Sequence, residues 1–196
     1  ALDARIRVAD PAAEPRAPLA ITPYPSEWER TFEIAGLGPV DVRPVRPEDE
    51  ALYVPFFAKV DPADIRLRFM TARKQFPHEF LARLTQIDYA REMAFVAIDR
   101  AGGELLGVVR LILDPDLETG EYGILVRSDL HGRGLGGRLM QLLVDYAHAR
   151  AMKRVTGLVL AENTTMLAMA SELGFAIRLV EDDAAVREVV LDLARI

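Results

Sequence analysis

Residues 131 to 138 read His-Gly-Arg-Gly-Leu-Gly-Gly-Arg, with glycine at 132, 134, 136 and 137. An apolar run from Gly120 to Val126 precedes them. Leu135, Leu139, Leu142, Leu143 and Tyr146 follow at the i+3 and i+4 spacing of one helix face. A loop with so few Cβ atoms can turn tightly and come close to a pyrophosphate. The N–H groups of Gly132, Arg133, Gly134, Leu135, Gly136 and Gly137 gather at a helix start, where the dipole favours an anion. A strand–glycine turn–helix unit of this kind places the chain among α/β proteins and makes a nucleotide its expected ligand.

Length and composition narrow the field. The chain has 196 residues, 51% of them hydrophobic, enough for one sizeable domain plus an extension. Its net charge of −6 lacks the basic footprint of a nucleic-acid or anionic-membrane binder, so neither partner is expected. No apolar stretch reaches the ~18 residues of a membrane span. Cysteine is absent, which removes disulfides, thiolate metal sites and a cysteine nucleophile and fits a cytoplasmic setting. His78, His131 and His148 lack metal-ligand spacing, and no metal is expected.

Pro11, Pro15, Pro18, Pro23 and Pro25 punctuate an alanine-rich stretch and mark a semi-rigid tether. Residues 1–25 read as the end of an upstream domain plus this linker, with a disordered tail as the alternative. Residues 26–196 read as the folded domain, its core over 40–196. The opening Ala1-Leu2-Asp3-Ala4-Arg5 has neither Met nor a signal peptide's apolar stretch, so a piece of a longer protein is expected. Strands are expected over 40–45, 93–98, 105–113, 120–126, 155–160, 175–180 and 186–193. Helices are expected to start at Pro47, Asp61-Pro62, His78, Leu135 and Asn163, the last stopped by Gly174. Trp28 is expected to anchor residues 26–40 onto the domain.

Two nucleotide readings compete for the glycine loop. Gly132, Gly134 and Gly137 match the dinucleotide pattern G-x-G-x-x-G, and Glu162 ends the next strand where a ribose-binding acid would stand. Against an NAD site, polar Arg127-Ser128-Asp129-Leu130-His131 separates strand from glycines. A strand, several helices and a meander also precede the motif, and too little chain follows for the second half of a doubly wound sheet.

The alternative lies in His131-Gly132-Arg133-Gly134-Leu135-Gly136, which resembles the R/Q-x-x-G-x-G/A motif of GCN5-related N-acetyltransferases (GNAT), with histidine where Arg or Gln is usual. The order of elements over residues 40–196, ending in Asn163…Leu173-Gly174-Phe175, is similar to that family. Arg127-Ser128-Asp129-Leu130 and Ile65-Arg66-Leu67-Arg68-Phe69 resemble the acetyltransferase domain of bacterial protein lysine acetyltransferases of the Pat type. Those often carry this domain behind an NDP-forming acyl-CoA synthetase-like region, whose closing segment Ala1-Leu2-Asp3-Ala4-Arg5-Ile6 resembles.

The resemblance implies an α/β (α+β) fold with a mixed central sheet, its fourth and fifth strands splayed, flanked by helices. It implies acetyl-CoA as acyl donor and a protein lysine, on an acyl-CoA synthetase, as acceptor. The pyrophosphate would lie on residues 132–137 with His131 beside it. Pantetheine would pair with the freed backbone of Ile124 and Val126, and Asn163 would contact the cofactor arm. Glu121 is the expected base, with Glu118 and Glu92 as substitutes. Gly123 suits a bulge that aims a backbone N–H at the thioester carbonyl. The slot where the family often carries an acidic tyrosine holds Ala170, beside Ser171. Acetylation of a small amine, and a non-catalytic CoA-sensing module, stay open as alternatives.

Overall fold

The most continuous apolar stretch after the first helices, Met93-Ala94-Phe95-Val96-Ala97, becomes a central strand buried on both faces. The computed structural model describes residues 22–181 and 183–193; the expected end of an upstream domain and most of the tether lie outside them. Among the described residues eight strands form one mixed sheet: β1 (Arg30–Ile34), β2 (Gly38–Pro44), β3 (Glu92–Asp99), β4 (Leu105–Leu113), β5 (Thr119–Val126), β6 (Arg154–Leu160), β7 (Ala176–Val180) and β8 (Asp183–Asp192). Their order is β1-β2-β3-β4-β5-β6-β8-β7, and only β5 and β6 run parallel.

Three helices, α1 (Glu50–Ala58), α2 (Pro62–Phe69) and α3 (His78–Thr85), cover one face of β3–β5. Tyr53, Phe56, Phe57, Ile65 and Leu81 from these helices pack there against Ala94, Val96, Val108 and Leu125. The opposite face carries α4 (Leu135–Ala149) and α5 (Thr164–Glu172) over the larger core, which includes Phe95, Val109, Leu111, Leu139, Leu143 and Val155. Strand alternation therefore divides β5 cleanly. Glu121, Gly123 and Leu125 face the α1–α3 side, while Tyr122, Ile124 and Val126 face the α4–α5 side.

The expected mixed α/β fold is observed, with one strand more than expected. The hairpin β1–β2 turns through Gly36 and Gly38, both at positive φ (74° and 79°), where a side chain would be strained. The two strands expected to splay are consequently the fifth and sixth. Trp28 anchors this hairpin: its ring lies 5.2 Å from that of Tyr146 and 6.2 Å from that of Phe95. Packing begins ahead of residue 26, since the Tyr24 hydroxyl donates to Glu29 and Arg46 stacks over its ring at 4.5 Å.

Candidate active site

The parallel pairing of β5 with β6 runs from Thr119↔Arg154 to Glu121↔Thr156 and stops. Beyond Glu121 the two strands part. The phase of the β4–β5 ladder is fixed at its ends, where Asp114 N–H donates to the Thr119 carbonyl (2.8 Å) and Arg127 N–H to that of Leu106 (2.9 Å). Odd-numbered residues of β5 thus bond to β4, and the backbone groups of Ile124 and Val126 aim into the gap. An edge of this kind accepts an added extended chain.

A cleft of about 1130 Å³ fills that gap. Glu121 lines it at the apex, where the strands separate, with Ile124 and Val126 along one wall. His131, Gly132, Gly134, Leu135, Gly136 and Gly137 line its far end, and Asn163 the opposite bank. Of the residues expected at the site, only Arg133 does not line the cleft: its guanidinium donates to the Gly36 carbonyl of the β1–β2 turn at 3.2 Å. Arg138 stacks over Phe32 of β1, 5.6 Å from the ring centre.

The glycine loop has the geometry an anion needs. Gly132 and Gly134 hold φ of 76° and 84°, and the space where a Cβ would stand is open at both. Gly134 is the N-cap of α4 and no side chain caps it; the first intrahelical bond runs from Arg138 N–H to Gly134 O at 3.1 Å. The N–H groups of Leu135, Gly136 and Gly137 therefore have no partner within the helix. At the loop's entrance Ser128 Oγ bonds the Asp64 carboxylate and accepts from Asp61 N–H at 2.8 Å, and His131 Nε2 stands 3.7 Å from Asp64 Oδ2. These contacts tie the start of α2 to the glycine loop. Asn163 Oδ1 caps α5 by accepting from Met166 N–H at 3.1 Å, which leaves its amide N–H groups for the cleft.

Neither substitute base reaches this cleft. Glu92 pairs with Arg110, and Glu118 with Lys153 at 2.7 Å; neither lines the cavity. Ala170 is fully buried, so the slot where the resemblance led one to look for a tyrosine is part of the core. Among the cleft-lining residues the single tyrosine is Tyr122. Its hydroxyl is buried without a hydrogen-bond partner among the described residues, and burial pushes the phenol well above its ordinary value.

Gly123 departs from expectation. The β4–β5 register is continuous through Arg110↔Gly123, so there is no bulge. The glycine is needed for another reason: a Cβ there would stand 2.3 Å from the Arg68 guanidinium, which rests against the strand. Arg68 lines the cleft and makes no hydrogen bond or ion pair with another described residue; Phe69 stacks against it at 5.1 Å. Burial draws its guanidinium down to about 10, neighbouring Arg110 adds to this, and Glu121 opposes it. The sequence marked Arg68 only as part of a motif, and alternation of arginine with apolar residues in α2 gave no sign of this contact.

Glu162, the acid of the dinucleotide reading, pairs instead with Arg66 of α2. The sheet around it is antiparallel except at β5–β6, which a doubly wound dinucleotide fold does not allow.

The profile of the acetyltransferase (GNAT) family matches residues 62–175. The chain is 30% identical over 145 residues to Acetyltransferase PA5475 of Pseudomonas aeruginosa, an overlap of 73% of this chain and 78% of that protein. It is 29% identical over 173 residues to Acetyltransferase Pat of Mycolicibacterium smegmatis, which covers 83% of this chain and 47% of that protein. The chain thus spans about half the length of that second relative. Among solved structures, the GNAT domain of S. lividans PAT superposes with a TM-score of 0.79 at 23% identity, over 87% of this chain and 99% of that one.

Proposed function

We propose that this chain, which belongs to the acetyltransferase (GNAT) family, moves the acetyl group of acetyl-CoA to the ε-amine of a protein lysine, with Glu121 as general base. The observation that carries the proposal is the parting of β5 from β6 immediately after Glu121. It supports a pose in which the pyrophosphate lies on the free N–H groups of residues 132–137. Pantetheine then runs along the open backbone of Ile124 and Val126, and the thioester reaches the apex beside a carboxylate. His131 would flank the phosphates, and the amide of Asn163 would meet the arm from the opposite bank.

A lysine ammonium, pKa ~10.4, cannot attack at neutral pH until its proton is removed. Glu121 is exposed to the cleft and takes that proton directly or through water. The amine nitrogen then bonds to the carbonyl carbon, its second proton leaves to water, and the C–S bond breaks. The proton held by Glu121 passes to the departing thiolate, leaving amide and free thiol. Backbone N–H groups on the open edge of β5, that of Ile124 foremost, stand where the carbonyl oxygen would gain negative charge. Since Ala170 offers no hydroxyl, the thiolate is protonated without a tyrosine at that position.

The resemblance to Pat-type enzymes supports an AMP-forming acyl-CoA synthetase as the cytoplasmic acceptor, silenced by acetylation, and a synthetase-like region upstream in the same protein. The deciding experiment is Glu121→Gln with an acyl-CoA synthetase as acceptor, small amines being run in parallel. Acetyl-CoA affinity is expected to hold while turnover falls ~10²-fold or more. Turnover equal to the parent's removes Glu121 from the mechanism, and activity toward small amines alone removes the protein substrate.

A further inference from the structure

We infer that the Arg68 side chain closes the acyl end of the cleft and so limits transfer to short acyl groups. The inference rests on the acyl-transfer reading above.

Arg68, Phe69, Gly123 and Leu125 line two spaces at once. One is the cleft. The other is a cavity of about 20 Å³ behind it, room for one water molecule, walled otherwise by Tyr53, Phe56 and other apolar side chains of α1, α3 and β4 and by Arg110. These four residues are therefore the partition between cleft and inner cavity. The guanidinium is the movable part of it, lying where a Gly123 Cβ would otherwise be.

Position makes the partition relevant to chemistry. Gly123 follows Glu121 by two residues on the same face of β5, a spacing of roughly 7 Å. An acyl carbon attacked by an amine in reach of Glu121 must stand over this short stretch of strand, and its alkyl tail then points at the partition. An acetyl methyl fits in front of Arg68. A longer tail has to displace the guanidinium or enter the aromatic cavity behind it.

The side chain is suited to this role because only its charge, which reaches Glu121, ties it to the chemistry, and the ranking of acyl groups does not depend on the absolute rate. It makes no hydrogen bond or ion pair with another described residue, so truncation leaves no buried carboxylate without its cation. Removing it joins the inner cavity to the cleft and exposes a lining that, Arg110 aside, is mainly apolar and suits alkyl chains.

The test compares acetyl-, propionyl-, butyryl- and hexanoyl-CoA on the full chain, with an acceptor that the parent protein acetylates. For the parent, kcat/KM is expected to fall roughly 10²-fold between acetyl and butyryl, the discrimination that one or two methylenes allow. Arg68→Ala is expected to reduce that drop to less than about tenfold. Arg68→Met, uncharged and the longest apolar side chain available, is expected to keep the parent's ranking, so that bulk rather than charge is identified. An unchanged ranking in Arg68→Ala overturns the inference, as does a Met variant that behaves like Ala. Should the Ala variant not fold, the parent alone decides: equal transfer of butyryl and acetyl groups means there is no gate. A parent that transfers no acyl group to any amine sinks the acyl-transfer reading itself, an outcome distinct from a flat ranking.

Discussion

Arg110 is a buried cation that holds three elements together. It projects from β4, pairs with Glu92 at the start of β3, and donates to the Leu84 carbonyl in α3. Its side chain is 6% exposed and that of Glu92 21%. Replacing Glu92 by leucine would leave the guanidinium buried with the Leu84 carbonyl and the neighbouring Tyr53 hydroxyl, and with Arg68 nearby, a like charge. Breaking a fully buried pair costs about 3–5 kcal/mol; the partial exposure of Glu92 and the retained carbonyl bring the expectation to ~2–3 kcal/mol. For a domain of this size that lowers Tm by roughly 4–12 °C. Trp28, the single tryptophan, sits between Phe95 and Tyr146 and reports unfolding in urea by its fluorescence. The double variant Glu92→Leu/Arg110→Met should recover most of the loss, because it removes both charges and keeps the volume apolar, with a coupling of ~1–3 kcal/mol. A single variant within ~0.5 kcal/mol of the parent, or a double variant no better than Glu92→Leu alone, would refute the account of Arg110 as an anchor that needs its carboxylate.

Two further perturbations separate structural from chemical roles. Tyr122→Phe removes a buried hydroxyl that has no partner, so stability should stay level or rise by ~1–2 kcal/mol with turnover unchanged; a tenfold or greater fall in turnover would make that hydroxyl a proton donor instead. The surface cluster at the end of β5 sets part of the acid stability. Lys59 and then Arg127 hold the Glu104 carboxyl below its ordinary value of 4.5, and Arg127 holds Asp129 below 3.8. The stabilisation is complete above those values and is lost as pH falls through the lower folded-state ones. Arg127→Gln should therefore flatten the decline of Tm between about pH 5.5 and 2.5, and parallel curves for parent and variant would exclude the effect.

The parts of this protein written in local chemistry were legible. The glycine loop, the amphipathic run into α4 and the three-strand meander need only neighbouring residues to be recognised, and Glu121 and the loop residues other than Arg133 do line one cleft. The strand β1 was not legible, because its burial is weak: only Ile34 of Arg30–Ile34 is buried, so no two-residue alternation signals a sheet face. With that hairpin unforeseen, so was the pull of Gly36 on the Arg133 side chain. Gly123 shows the same limit from the other direction. A strand glycine read locally suggests a bulge, whereas its actual neighbour is Arg68, brought there by the packing of α2 on β5. Ala170 was placed by motif alone, and its full burial follows from α5 docking on the sheet.

Three residue pairs join β5 to β6, against seven on either outer side, β4–β5 and β6–β8. The eight strands thus amount to a five-stranded plate and a three-stranded plate meeting along a short seam. Each plate keeps its own ladders if the seam loosens. A guest whose amides complete the open edge would act as the missing stitches, coupling occupancy of the cleft to the rigidity of the whole sheet, and its departure would be governed by how readily the plates ease apart.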